Sequence, residues 1–492
     1  MSDPAPSLGR RLPFLTKVSY AIGSIAFGLK AVAIGVVMLF YNQVLGLPAV
    51  WVSMAIGAAL IVDAIASPVI GQLSDMWRSR WGRRHPFMYA AALPAPLAVW
   101  ALLNPPQGWT GSALAAYMTS CIVAARVSIA LFEIPNASLL PELAPGYDDR
   151  TVLSGYRNLL LIVIPVIMIV TALILFLTPF VNEHGQPMPG QLNPAGYAKY
   201  GLALAVMIFL SIMLSALGTH REIRHLSQPE RHPSVAALFA TIATTLLNRN
   251  FLVLTIAGVI AGIGTGLVGG LTDYFNTFFW ELSARQISAL TGAVGLSPFA
   301  AVAIGPFFAK RFGKKPALLG TFTLSLIAGI LPVSLRLLGL LPPNGSPVIL
   351  PLLVADAFFA CTLVIVGLIV LTSMMADIVE QVQMKTGRRS EGLLFSADTM
   401  LKQIVTGVGA MGTGLILQFV HFPEKAVPGQ VPQEVLTHLA KIYLPINAST
   451  SLLSIAVISL FSITRQDHER HLAGIAGVAT TEPETENEPN LV

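Results

Sequence analysis

Twelve apolar stretches, most of them longer than the roughly 18 residues that carry a helix across a bilayer core, decide what this chain can become. They run over about 18–42, 48–73, 87–103, 111–141, 152–178, 200–218, 250–280, 287–309, 316–335, 348–376, 392–420 and 440–464. A barrel strand crosses in about ten residues of alternating pattern, and these runs are too long and continuous for that. The expected fold class is an all-α membrane protein. Only 11% of the 492 residues are charged, against about 25% in an average soluble domain.

The basic residues sort by connection. The odd-numbered connections hold few, whereas the others carry Arg78, Arg80, Arg83 and Arg84, then Arg150, then Arg221, Arg224, Arg231 and Arg249, then Lys310, Arg311, Lys314 and Lys315, then Lys385, Arg388 and Arg389. The positive-inside bias predicts a bacterial-type inner-membrane protein with both termini cytoplasmic, as an even number of spans requires. The formal charge of +5 is thereby explained as topology, and no nucleic-acid partner is expected. Cys121 and Cys361 both fall in apolar runs, without disulfide framework or metal spacing, and no metal or cofactor is expected. The first residues, MSDPAPSLGRRLPFLTK, do not resemble a cleaved signal, so the first span serves as the address.

A weak internal repeat divides the chain. Gly82-Arg83-Arg84 follows the second span and Gly313-Lys314-Lys315 follows the eighth, while Arg157 and Lys402 sit inside the fifth and eleventh. Two related six-helix halves follow from this pattern. The expected organisation is a cytoplasmic N-terminus (1–17), a first bundle (18–219), a charged linker (220–249), a second bundle (250–465) and a disordered cytoplasmic tail (466–492).

Inside the spans lie Lys30, Asp63, Arg126, Glu133, Arg157, Asp273, Asp356, Asp398 and Lys402. Each charge at mid-bilayer costs at least ~2.5–3.5 kcal/mol, so together they imply mutual pairing around an aqueous path. Asp63 and Ser67 share a helix face and can offer oxygen to a cation. Glu133, beside Pro135 and Asn136, suits recognition of sugar hydroxyls, unless Arg126, seven residues earlier, merely neutralises it. Arg157 and Lys402 are placed to meet Glu133 or Asp63 across the cavity, with snorkelling of Arg157 and an Asp398–Lys402 pair as the plainer readings. Lys30 and Arg126 either favour an anionic substrate or pair internally. Tyr20, Tyr41, Tyr274, Trp51 and Trp280 read as interfacial anchors. The two basic turns read as a cytoplasmic gate, Arg83, Arg84, Lys314 and Lys315 pairing with helix-end acids such as Asp75 and Glu142.

The sequence contains no GxxxxGK[ST], HExxH or GxSxG, so neither an ATP-driven pump nor a hydrolase is expected. Uphill movement of a small molecule must then draw on an ion gradient.

Four segments in order, SYAIGS…FYNQVLGL, DAIASPVIG…RSRWGRRHPF, EIPNASLLPEL with DDRTVLSGYR, and MADIVEQVQMKTGRRSEGLLFSADTMLK, resemble the glycoside–pentoside–hexuronide:cation symporters, the melibiose-permease branch of the major facilitator superfamily. The resemblance implies twelve helices in two pseudo-symmetric bundles and symport by alternating access. It makes Asp63 the first acidic cation ligand, with Ser67 where the second acid is expected, which favours H⁺ over Na⁺ as coupling ion. It makes Glu133 the acid that holds sugar hydroxyls, with Ala137 replacing the stacking tryptophan, and Arg157 and Lys402 cavity-lining cations. The expected substrate is a glycoside, oligosaccharide or hexuronide carried by a monomer. A lysophospholipid symporter and a non-transporting receptor are the alternatives.

Overall fold

In a computed structural model that describes residues 12–144, 147–225, 249–386 and 391–461, the chain forms twelve spans. They are α1 (Phe14–Val44), α2 (Ala49–Met76), α3 (two pieces, His85–Ala91 and Pro94–Leu102), α4 (Gly111–Leu143), α5 (Asp149–Phe176), α6 (Pro194–Thr219), α7 (Phe251–Phe279), α8 (Ala284–Phe312), α9 (Lys314–Leu337), α10 (Ile349–Thr386), α11 (Glu391–Phe419) and α12 (Gln433–Ser459). A two-stranded hairpin, β1 (Phe180–Val181) and β2 (Pro187–Met188), lies between α5 and α6. Eleven of the spans are single helices long and apolar enough to cross a membrane. The remaining one, α3, is broken ahead of Pro94, whose missing N–H and ring interrupt the helical ladder. The linker beyond His225, the start of the N-terminus and the tail expected at 466–492 lie outside the described residues.

Prolines and one amide set the helix starts. Pro48 and Pro432 stand just before α2 and α12. Asn193 caps α6 by accepting from the Ala195 amide at 3.1 Å. The glycines of the repeated turns share a positive φ, 75° at Gly82 and 83° at Gly313, a left-handed conformation that glycine adopts without the penalty a side chain brings.

A second repeat is invisible in the residue identities. α1 ends in a π turn, Phe40–Val44, and α7 ends in another, Phe275–Phe279. The Leu45 amide reaches back to the Phe40 carbonyl and Trp280 to Phe275; Leu47 then bonds to Tyr41 and Leu282 to Asn276, each at 2.9 Å. Between them Gly46 and Glu281 both take positive φ, 79° and 52°. The first helix of each half is thus wound open at the same end.

The halves meet along α2 and α11, and along α5 and α8. α2 and α11 run antiparallel: Ser53 Oγ donates to the Met411 carbonyl at 3.0 Å, Gly57 and Gly407 bring the backbones together, and Gln403 reaches Asp63. A Cβ on Gly407 would lie 2.8 Å from the Gly57 carbonyl oxygen. Small residues allow this approach, as at many membrane helix crossings. On its other side α11 packs on a stripe of Gly258, Gly262, Gly266 and Gly270 in α7, which faces Lys402, Thr406, Ala410 and Thr413.

Further contacts between the halves cluster at the end away from the basic turns. Tyr274 OH donates to Asn42 Oδ1 at 2.6 Å, Gln43 bonds to the Pro423 carbonyl and the Ala426 amide, and Gln191 Nε2 donates to the Leu282 carbonyl at 2.8 Å. This far end is closed. Tyr20, Tyr41 and Tyr274 are fully buried and Trp280 nearly so, while Trp51 is 44% exposed. The four buried aromatics are therefore packing residues, correcting the interfacial reading: they are buried among helices, and two of the hydroxyls bond inside, Tyr41 OH to the Leu102 carbonyl and Tyr274 OH to Asn42.

Candidate functional site

Charges from α1, α2 and α4 form a string of alternating sign. Arg126 Nη1 donates to Asp63 Oδ2 at 3.0 Å, Lys30 Nζ lies 3.6 Å from that oxygen, and Lys30 Nζ donates to Glu133 Oε2 at 2.6 Å. Side-chain exposure rises along it from 2% at Asp63 and 10% at Arg126 to 15% at Lys30 and 28% at Glu133, so Glu133 is the member a solute can meet. Seven residues, almost two helical turns, put Arg126 and Glu133 on one face of α4, and α1 lays Lys30 between the two acids. Asp63 also accepts from Gln403 Nε2 of α11 at 2.8 Å, its one partner from the other half among the described residues. Asp63 Oδ1 is buried without a hydrogen-bond partner.

Several expectations are corrected here. Arg126 pairs with Asp63 rather than neutralising Glu133, because Lys30 lies closer to that acid. Arg157 does not reach either carboxylate: its guanidinium lies 5.4 Å over the Phe27 ring, a cation–π contact between α5 and α1. The Lys402 stem rests against Gly258 of α7, where the absent side chain leaves room for it, so Lys402 faces its own half while the next residue, Gln403, faces Asp63. The Asp398 side chain lies outside the described residues. Asn136 is fully buried and donates to Ser215 of α6 at 3.0 Å, which places it in the α4–α6 contact. Ser67 is half-buried and, among the described residues, has no hydrogen bond.

At the basic turn, Glu142 pairs with both Arg83 and Arg84, Arg84 also lies 3.5 Å from Asp75, and it donates to the Ser138 carbonyl. Burial pulls the Arg84 guanidinium below its ordinary pKa, while Glu142 acts in the opposite sense. These pairs join α2, the α2–α3 turn and the end of α4 within one half, and do not cross to the other. In the second half Lys315 Nζ donates to the Phe461 carbonyl at 2.8 Å, and Lys314 opens α9. Asp273 and Asp356 line adjoining cavities of about 230 Å³ and 180 Å³ that share Asn276.

A family model described as "MFS/sugar transport protein" matches residues 19–465. The chain belongs to this transporter family. Among its relatives, the isoprimeverose transporter of Lactiplantibacillus pentosus is 26% identical over 85% of this transporter and 82% of that protein. The glucuronide carrier protein homolog of Escherichia coli is 22% identical over 93% and 94%. Among solved structures, a D-xylose-proton symporter superposes with a TM-score of 0.62 at 14% identity, covering 92% of this transporter and 98% of that chain. A bacterial homolog of the lysosomal transporter Spinster gives 0.62 at 12% identity, over 92% and 98%. The two likenesses of structure show the major facilitator fold. The transporter is thus a multi-pass membrane protein and not an enzyme.

Gln403 and the α7 glycine stripe are what the sequence reading missed. An uncharged amide beside Lys402 carried no signal of its own. The glycines did carry one, a four-residue spacing through GVIAGIGTGLVGG, which places small residues on one helix face.

Proposed function

We propose that the transporter is a symporter of the bacterial inner membrane that couples H⁺ to the movement of a glycoside, small oligosaccharide or hexuronide. One observation carries this: the most buried acid of the charged string, Asp63, is held by Arg126 and Lys30 of its own half and by Gln403 of the other. A proton on Asp63 cancels its hold on both cations and weakens the bond to Gln403, so protonation acts directly on the seam that must open. The neighbours of Asp63 are N–H donors, which repel a metal cation; sodium needs several oxygen ligands, whereas a proton needs one lone pair, and Oδ1 offers it.

Glu133 and Lys30, the more exposed end of the string, supply an acceptor and a donor to a sugar's hydroxyls, or an ammonium to a uronate. The names of the relatives, which include isoprimeverose and glucuronide carriers, support that class. In this reading the basic turns face the cytoplasm and the closed end is the outer gate of a rocking cycle. The test is uptake into proteoliposomes of neutral disaccharides, a hexuronide and a lysophospholipid under imposed proton or sodium gradients. Proton-driven sugar accumulation, lost in Asp63→Asn, is expected. Sodium-driven accumulation overturns the coupling ion, lysolipid accumulation alone overturns the substrate class, and saturable sugar binding without accumulation overturns transport.

A further inference from the structure

The cavity beside Asp273 is not part of the charged string. It lies in the seam at the closed end, with walls from both halves: Leu173 of α5 and Tyr200 of α6 on one side, Asp273 and Asn276 of α7 and Ile287 of α8 on the other. Gln191, in the connection between β2 and α6, also lines it and is only 2% exposed. Its Nε2 is engaged by the Leu282 carbonyl, but its Oε1 is buried with no partner. Tyr200 OH, on a fully buried side chain, likewise has none. Asp273 makes no hydrogen bond or ion pair among the described residues. A buried polar atom left unsatisfied costs about 1–3 kcal/mol, so two such atoms, Gln191 Oε1 and Tyr200 OH, beside a partly buried carboxylate around one space are an unusual concentration.

We propose that this cavity is a second binding site, for one sugar-sized polyol ring, separate from the Lys30–Asp63–Glu133 string. The unmet groups are mainly acceptors, Asp273 and Gln191 Oε1, with a phenol that can donate or accept, and hydroxyls are the donors that satisfy all three. Much of the remaining wall is aliphatic, suited to the C–H face of a ring, and Asn276 and Thr291 are among its polar members. At about 230 Å³ the space equals the liquid volume of roughly eight waters, enough for a monosaccharide and short of the ~300–1,000 Å³ of drug-sized pockets. Because both halves build the walls, opening this end dismantles the site. A ring bound there stabilises the closed-end state by its differential affinity, and acts as a brake on turnover when sugar is abundant. The choice of sugar as ligand rests on the proposed transport function.

The test is protection from alkylation. Thr291, which lines the cavity, is replaced by cysteine in full-length protein carrying Cys121→Ala and Cys361→Ala, in nanodiscs, and its reaction with a small maleimide is timed with D-glucose, D-xylose or D-glucuronate. A sugar at twice its dissociation constant slows the reaction about threefold. Protection that persists in Glu133→Gln and disappears in Asp273→Asn and in Tyr200→Phe is the expected result. No protection by any of the three sugars overturns the site, and so does protection that Glu133→Gln abolishes, because it then arises from the central string. Uptake by the same protein separates the two readings: accumulation without protection removes this site alone, and protection without accumulation removes transport and leaves the site standing.

Discussion

Gln403 on α11 donates to Asp63 on α2 across the seam between the halves, at 2.8 Å. A hydrogen bond to a charged group contributes about 1.5–3 kcal/mol, so Gln403→Leu is expected to shift the balance between closed and open far end by roughly tenfold or more toward open. Spin labels at Trp109 and Leu340, exposed in far-end connections of the two halves, will report this as growth of a longer-distance population. An unchanged distribution would mean that the bond does not hold the seam.

Neutralising Asp63 alone leaves Arg126 buried without its counter-charge. Breaking such a pair from one side costs about 3–5 kcal/mol, so Asp63→Asn is expected to lower thermal stability in detergent. Asp63→Asn combined with Arg126→Gln should recover most of it, while proton-driven uptake stays absent in both. Stability that falls additively in the double variant would show that the two side chains are not coupled.

The crossing of α2 and α11 predicts a steric effect at Gly407. Gly407→Val places a Cβ 2.8 Å from the Gly57 carbonyl oxygen and adds two methyl groups, so the far end should fail to close and net uptake should drop at least about tenfold. Gly155→Ala is the control, since a Cβ there meets no atom beyond its own helix within 4 Å; its stability should match wild type or exceed it by up to about 1 kcal/mol. Normal uptake by Gly407→Val would remove the crossing from the transport cycle.

Glu142 is the shared partner of Arg83 and Arg84. Glu142→Gln leaves two guanidinium groups crowded and under-compensated, and a loss of about 3 kcal/mol is expected, at the lower end for a buried pair because Asp75 and the Ser138 carbonyl still hold Arg84. A melting temperature equal to wild type would reduce the cluster to a surface arrangement.

The fold was legible because lipid enforces it: runs such as 152–178 are too long and apolar to be anything but crossing helices. Only α3 falls short of one continuous span, and Pro94 explains why. The charged residues were equally legible as a set, since each stands out against an apolar background. Their pairing was not, because it depends on helix rotations that no single helix encodes. Sequence spacing joined Arg126 to Glu133 along α4, and α1 overrode it by bringing in Lys30. The matching π turns of α1 and α7 escaped notice because they repeat a backbone bonding pattern, with Gly46 in one and Glu281 in the other.

The string of Arg126, Asp63, Lys30 and Glu133 contains two cations and two anions, and it is therefore electrically silent when empty. A membrane potential, worth about 2.3 kcal/mol per elementary charge per 100 mV, finds nothing in this string to pull on as the unloaded carrier resets. One proton with a neutral sugar makes the loaded string a monocation, and the voltage then drives that step alone; a proton with a uronate restores silence. Whether transport generates a current would thus be set by the charge of the cargo.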